Sequence, residues 1–204
     1  MAKVVSDDEV AAESLPRRKV LKQALTVGAA LPVIVSGSAE AFEKKSKKAK
    51  DPAALRPQVG DQLVFFTGDR EGELIGPADI TDSEHLTIAT PKDPASGALR
   101  DGSRLNRVTL ARVDPAKFND TSRAYAADDV VAFSAICTHG GCLVNLWRDG
   151  VLFCPCHFSR FDPWKSGKVV GGPSQRRLSP LPITVEDGKF VVTAGFMSRI
   201  GIKK

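Results

Sequence analysis

Residues 137–142 read Cys137-Thr138-His139-Gly140-Gly141-Cys142, and residues 154–159 read Cys154-Pro155-Cys156-His157-Phe158-Ser159. Each stretch supplies a thiol and an imidazole at short spacing, C-x-H in the first and C-x-x-H in the second. The chain has four cysteines and three histidines, and only His85 lies outside these two stretches. Such concentration is hard to attribute to packing, because thiolate and imidazole are donors that proteins offer to transition metals. Fourteen residues separate His139 from Cys154. That is room for a short hairpin, which would bring the two stretches side by side at the tips of strands.

Outward from this pair the pattern is all-β. Short runs bounded by Gly, Pro and Asp predict strands over Gln62–Thr67, His85–Thr90, Leu105–Val113, Asp129–Ile136 and Val151–Cys154. A hairpin is expected from Pro182–Glu186 and Lys189–Thr193 around Asp187-Gly188, a pair suited to a type I′ turn. Pro91–Arg104 reads as an exposed loop. No helical periodicity of useful length follows the first forty residues, and there are no internal repeats.

Those first residues read as an export signal. Arg17, Arg18, Lys19, Val20, Leu21 and Lys22 fit the twin-arginine pattern, R-R-x-hydrophobic-Leu-Lys. An apolar run from Ala24 to Gly37 follows, and Ala39-Glu40-Ala41 offers a small-x-small cleavage site. Residues 1–41 are therefore expected to be a signal or anchor with a helical core. The apolar run is closer to the roughly 10–14 residues of a signal than to the roughly 20 of a membrane span. It also contains Gly28 and Pro32, so cleavage is favoured over membrane association through residues 20–39. Residues 42–60 read as a basic, proline-containing linker, and 61–204 as the domain. The net charge of +5 owes much to Lys44, Lys45, Lys47, Lys48 and Lys50. A solvated linker explains that cluster better than a nucleic-acid face, which would spread charge among aromatics.

The paired motif resembles the Rieske [2Fe–2S] proteins, in which two Cys hold one iron and two His the other. The resemblance is strongest over Ser134–Gly172. It implies a Rieske-type antiparallel β-sandwich with a small cluster-binding subdomain inserted at about 134–175. It implies one [2Fe–2S] cluster with Cys137 and Cys154 as thiolate ligands and His139 and His157 as imidazole ligands. In the members that serve quinol-oxidising complexes, cysteines placed like Cys142 and Cys156 form a disulfide between the cluster loops. Such a bond persists in an oxidising compartment, in agreement with export to the periplasm. The resemblance further implies that Ser159 donates its hydroxyl to a bridging sulfide. Gly171-Gly172-Pro173-Ser174 resembles the loop that covers the cluster. High-potential members carry Tyr where this chain has Phe161, so a moderately high potential is expected, below theirs.

Three other readings stand beside this one: two structural disulfides, a Cys₂His₂ zinc site and chance clustering. Two disulfides would leave both histidines unexplained, and the spacing is not the usual one of zinc fingers. Trp164 and Phe158 could shield the site or pack in the base domain. His85 has no partner motif and reads as a surface or satisfied core residue.

Within the family, an oxygenase would need a second iron site of two His and a carboxylate, and only His85 remains. The segment Cys156 to Asp162 is similar to the small subunit of arsenite oxidase. It implies an exported relay between a molybdenum-type large subunit and a cytochrome c or cupredoxin. The alternative is the iron–sulfur subunit of a quinol–cytochrome c reductase, bound to a cytochrome b complex and oxidising quinol. Against it, Gly140 replaces the apolar residue at the quinol-docking tip and Phe158 replaces the usual Gly. Beyond the cluster ligands the chain offers no candidate nucleophile or general base, so in either class it reads as a relay, an electron-transfer subunit of an oxidoreductase with no independent catalytic site apparent.

Overall fold

A computed structural model describes residues 51–81 and 85–202. The expected export signal and the lysine cluster of the expected linker lie outside the described residues. Among those described, no helix is long and apolar enough to cross a membrane.

In the described residues ten strands form two antiparallel sheets. They are β1 Gln62–Phe65, β2 Thr87–Lys92, β3 Val108–Arg112, β4 Val130–Ser134, β5 Leu146–Arg148, β6 Val151–Phe153, β7 Arg160–Asp162, β8 Lys168–Gly171, β9 Ile183–Glu186 and β10 Lys189–Val192. The six-stranded sheet runs β4-β3-β2-β1-β10-β9, and the four-stranded sheet runs β5-β6-β7-β8. The small sheet is thus an insertion between β4 and β9, as the all-β reading with an inserted subdomain expects. Among the described residues the one α-helix, α1 Asp120–Arg123, is a single turn.

Strand β4 joins the two parts. All five of its residues are buried, and successive side chains of a strand point to opposite faces. Val130 and Ala132 enter the core of the large sheet with Leu63, Val108, Leu110 and Phe190. Val131 and Phe133 enter a second core with Leu152, Phe161, Leu178, Cys137 and Cys154. One strand therefore seats the inserted sheet on the base, and both free cysteines sit in the core it creates.

The β9–β10 hairpin forms as expected, with Lys189 opposite Glu186 and positive φ at Asp187 (48°) and Gly188 (72°). Asp149 and Gly150 repeat this turn between β5 and β6, so the same dipeptide signature marks a hairpin of which the sequence reading found only β6. It also missed β7 and β8.

The expectation of an exposed loop over Pro91–Arg104 is corrected. Strand β2 continues through Pro91, which is buried opposite Leu63. Arg100 is 4% exposed, and its guanidinium forms a two-pronged pair with Asp61, at 2.9 and 3.0 Å. It also donates to the Pro52 carbonyl at 2.9 Å, while Asn106 donates to the Leu55 carbonyl at 2.7 Å. Residues 51–56 are thereby fastened to the domain through 100–106.

Candidate metal centre

The two motif stretches fold into loops with one hydrogen-bond pattern. In the first, the Cys137 N–H donates to the Cys142 carbonyl at 2.8 Å and the Gly141 N–H to the Cys137 carbonyl at 3.0 Å. In the second, the Cys154 N–H donates to the Ser159 carbonyl at 2.9 Å and the Phe158 N–H to the Cys154 carbonyl at 3.0 Å. The fifth residue of each loop is left-handed: Gly141 at φ 75° and Phe158 at φ 63°. Glycine adopts this conformation freely, whereas a bulky residue there costs about 1–3 kcal/mol.

The pattern puts the donors where the motif spacing requires. Cys137 and Cys154, the first residues of their loops, are each 1% exposed and unoxidised. His139 and His157 are exposed, with ring centroids 4.7 Å apart and planes at 80°. The thiols lie in the apolar interior and the imidazoles face solvent. Gly140 lies beside the His157 ring: a Cβ there would stand in ordinary contact, 3.7 Å from its Nδ1 and Cε1.

Cys142 and Cys156 are joined in a disulfide between the two loops. Their sulfurs lie within 4.8 Å of Cys154 Sγ, but as bonded sulfurs they are not thiolate donors. This leaves two thiols and two imidazoles, and the reading with two structural disulfides fails because Cys137 and Cys154 are not bonded to each other.

The two thiols differ electrostatically. Burial pushes the Cys137 thiol up, but the Ser174 hydroxyl, the His139 and Gly140 amides and the neighbouring Cys154 outweigh it, so its pKa falls below the ordinary value. Burial raises that of Cys154, and negative charge on Cys137 raises it further, against the amides of Cys156 and His157. The surroundings therefore favour the first thiolate. A second beside it calls for a cation.

The stretch at 171–174 covers this region. Gly172, at φ 77°, lies flat on the second loop: a Cβ there would stand 2.5 Å from the Phe158 carbonyl oxygen and 2.6 Å from Ser159 Cα. Pro173 is exposed and Ser174 is buried. The Ser174 Oγ is 3.5 Å from Cys137 Sγ and 2.9 Å from Ser159 Oγ. Thr138 ties the first loop to the same segment by donating to the Arg176 carbonyl at 2.6 Å. The sequence reading missed Thr138 and the contact of Ser174, and nothing local in the sequence signals either. Phe161 is fully buried in the core shared with both free cysteines. Trp164 packs edge-on against Trp147 at 6.0 Å, whereas Phe158 is 62% exposed beside His157. His85 is exposed just before β2.

A β-fold with a small inserted sheet, carrying paired buried thiols and paired exposed imidazoles, is a candidate for a mixed thiolate–imidazole metal site. The description "Rieske [2Fe-2S] domain" is that of the family whose profile matches residues 98–185. A Haloferax mediterranei protein named for the Rieske subunit of a respiratory nitrate reductase is 31% identical over 195 residues, 92% of this chain and 81% of that protein. The chain belongs to the Rieske [2Fe–2S] family. The Rieske iron–sulfur subunit of the cytochrome bc1 complex of Corynebacterium glutamicum is 35% identical over 105 residues, 50% of this chain and 26% of that protein. The chain thus spans about a quarter of the length of that relative. The plasma membrane Rieske protein of Synechocystis PCC 6803 superposes with a TM-score of 0.39 at 26% identity, covering 58% of this chain and 95% of that one. As a member of the family the protein is an iron–sulfur electron-transfer subunit with a [2Fe–2S] cluster as its cofactor.

Proposed function

We propose that the chain is an exported relay subunit of a respiratory oxidoreductase, holding its cluster through Cys137 and Cys154 on one iron and His139 and His157 on the other. The observation that carries the ligand assignment is the sorting of donors: among the described cysteines only these two remain thiols, and they are buried while the paired histidines of the same two loops are exposed. When bound, such a cluster exchanges one electron, at a potential of about −150 to +300 mV. The chain's own residues do the rest. The apolar core around Cys137 and Cys154 excludes water from the sulfur side. His139 and His157 each keep a ring nitrogen that can hold a proton or hydrogen-bond a docking partner. The Cys142–Cys156 disulfide holds the two loops together, with Ser159 and Gly172-Pro173-Ser174 closing the site from the other side.

The relative matched over 81% of its length is named for nitrate reductase, which favours a molybdenum-type large subunit as one partner and a cytochrome as the other. The bc1 subunits are matched over about a quarter of their length, and Gly140 lacks the apolar tip expected for quinol docking. Twin-arginine export to the periplasm is supported by Arg17-Arg18 and by a disulfide suited to an oxidising compartment.

The test is the holoprotein purified from the periplasmic fraction, with intact mass and EPR of the reduced state. A Rieske signal that His157→Ala abolishes, on a chain cut after Ala41, is expected. A variant that keeps colour and signal would refute the ligand set, and a chain found only in the cytosol would refute export. Reduction of the wild type by an added quinol in the presence of a cytochrome b complex alone would move the assignment to the bc1 class.

A further inference from the structure

We propose that Phe158 is the apolar contact on which the redox partner seats, and that this partner presents an apolar patch rimmed by carboxylates. The inference rests on the reading of the chain as an electron relay.

Folding alone gives no reason for a phenylalanine at this position. The sister loop has Gly141 at the equivalent place, and both backbones are left-handed. Glycine would relieve the strain, and a ring that keeps 62% of its surface in water recovers little by burial. Its ring stacks on Phe153, 6.0 Å away and 29° inclined, and Arg148 stands 5.0 Å from that same Phe153 ring. The stack fixes where the exposed ring points, directly beside His157. A strained backbone holding an oriented, exposed aromatic at the rim of a redox site fits a binding contact.

The charges name the partner's chemistry. Neither cluster loop contains a charged residue. Around them stand exposed Arg148 at the stack and exposed Arg160 on the strand that leaves the second loop, with the exposed carboxylate of Asp149 in the β5–β6 turn beyond Arg148. A groove of about 820 Å³ borders Gly140 and Gly141, lined by Arg56, Arg104 and Arg199 and by no carboxylate. An apolar centre in a basic surround is complemented by an apolar centre in an acidic rim. The same charges disfavour a second copy of this chain, and the lysine-rich segment 44–50 as well.

The test mixes the reduced holoprotein, wild type and Phe158→Gly, with three oxidants in stopped flow at low ionic strength: an acidic plastocyanin, a basic cytochrome c and ferricyanide. The wild type is expected to react with plastocyanin about tenfold faster than with the basic cytochrome. Phe158→Gly should lose about tenfold toward plastocyanin only. Its thermal midpoint should be no lower than that of the wild type. Phe158→Asn, which also tolerates the left-handed backbone, should repeat the loss. A Phe158→Gly protein that reacts with plastocyanin at the wild-type rate overturns the proposal. So does one slowed equally toward ferricyanide, since Phe158 would then act on the cluster and not on docking. A faster reaction with the basic cytochrome overturns the acidic partner. A wild type without a Rieske EPR signal overturns the relay reading itself, which separates that failure from failure of the contact.

Discussion

The hydroxyl of Ser174 stands 3.5 Å from the sulfur of Cys137, across 37 residues of sequence. It lies equally within reach of Ser159, at 2.9 Å, and a serine has a single proton to donate. When Cys137 is a thiol, that proton goes to Ser159. A thiolate carries no proton of its own, so Ser174 can turn its donor onto the sulfur.

A donor aimed at a ligand thiolate stabilises the extra negative charge of the reduced state. Ser174→Ala is therefore expected to lower the midpoint potential. A hydrogen bond to a charged group contributes about 1.5–3 kcal/mol in all, of which only the redox-dependent part moves the potential. With about 59 mV per tenfold change for one electron, the shift should be tens of millivolts downward. An EPR-monitored titration checks this, and an unchanged or higher potential would contradict the account.

This contact marks the boundary of what could be read from the sequence. The metal motifs are local, and their spacing gave both loops and the candidate donors. The Asp187-Gly188 hairpin is equally local, since the turn chemistry lies in the dipeptide itself. Strands β5, β7 and β8 have three or four residues each, too short for alternation to register, and they hold by pairing in the order β5-β6-β7-β8. The stretch 171–174 could be matched to a covering loop, but which atom Ser174 touches depends on how Gly172 lies on a neighbouring backbone. Arg100 was misread for a similar reason: its partner Asp61 is 39 residues away, and a lone Arg in a polar stretch looks solvated.

The Arg100–Asp61 pair should be costly to break on one side. Both side chains are almost fully buried, at 5% and 2% exposure, and Arg100→Met would leave the carboxylate with the backbone N–H of Gln58, which donates to it at 2.8 Å. Removing one partner of a buried pair costs about 3–5 kcal/mol, whereas replacing both by apolar groups is often neutral. Urea unfolding should therefore show Arg100→Met strongly destabilised and Asp61→Leu/Arg100→Met recovering much of the loss. A single variant within about 1 kcal/mol of the wild type would mean that the pair is solvated.

Gly172→Ala should disturb the site more than the small change in size suggests. The added Cβ would meet backbone atoms, the Phe158 carbonyl oxygen at 2.5 Å and the Ser159 nitrogen at 2.7 Å, which cannot rotate away. The positive φ adds about 1–3 kcal/mol, and forcing the loops apart adds a similar amount, about 1–3 kcal/mol. Displacement of the covering loop carries Ser174 off Cys137, so the potential should fall at least as far as in Ser174→Ala and the cluster should bleach faster on heating. Gly68→Ala serves as the control: its φ is 93° with nothing within 4 Å of the added carbon, so it bears the backbone strain without the collision. Its potential should match the wild type. Equal loss of cluster in the two variants would show that strain alone, and not contact between the loops, sets the effect.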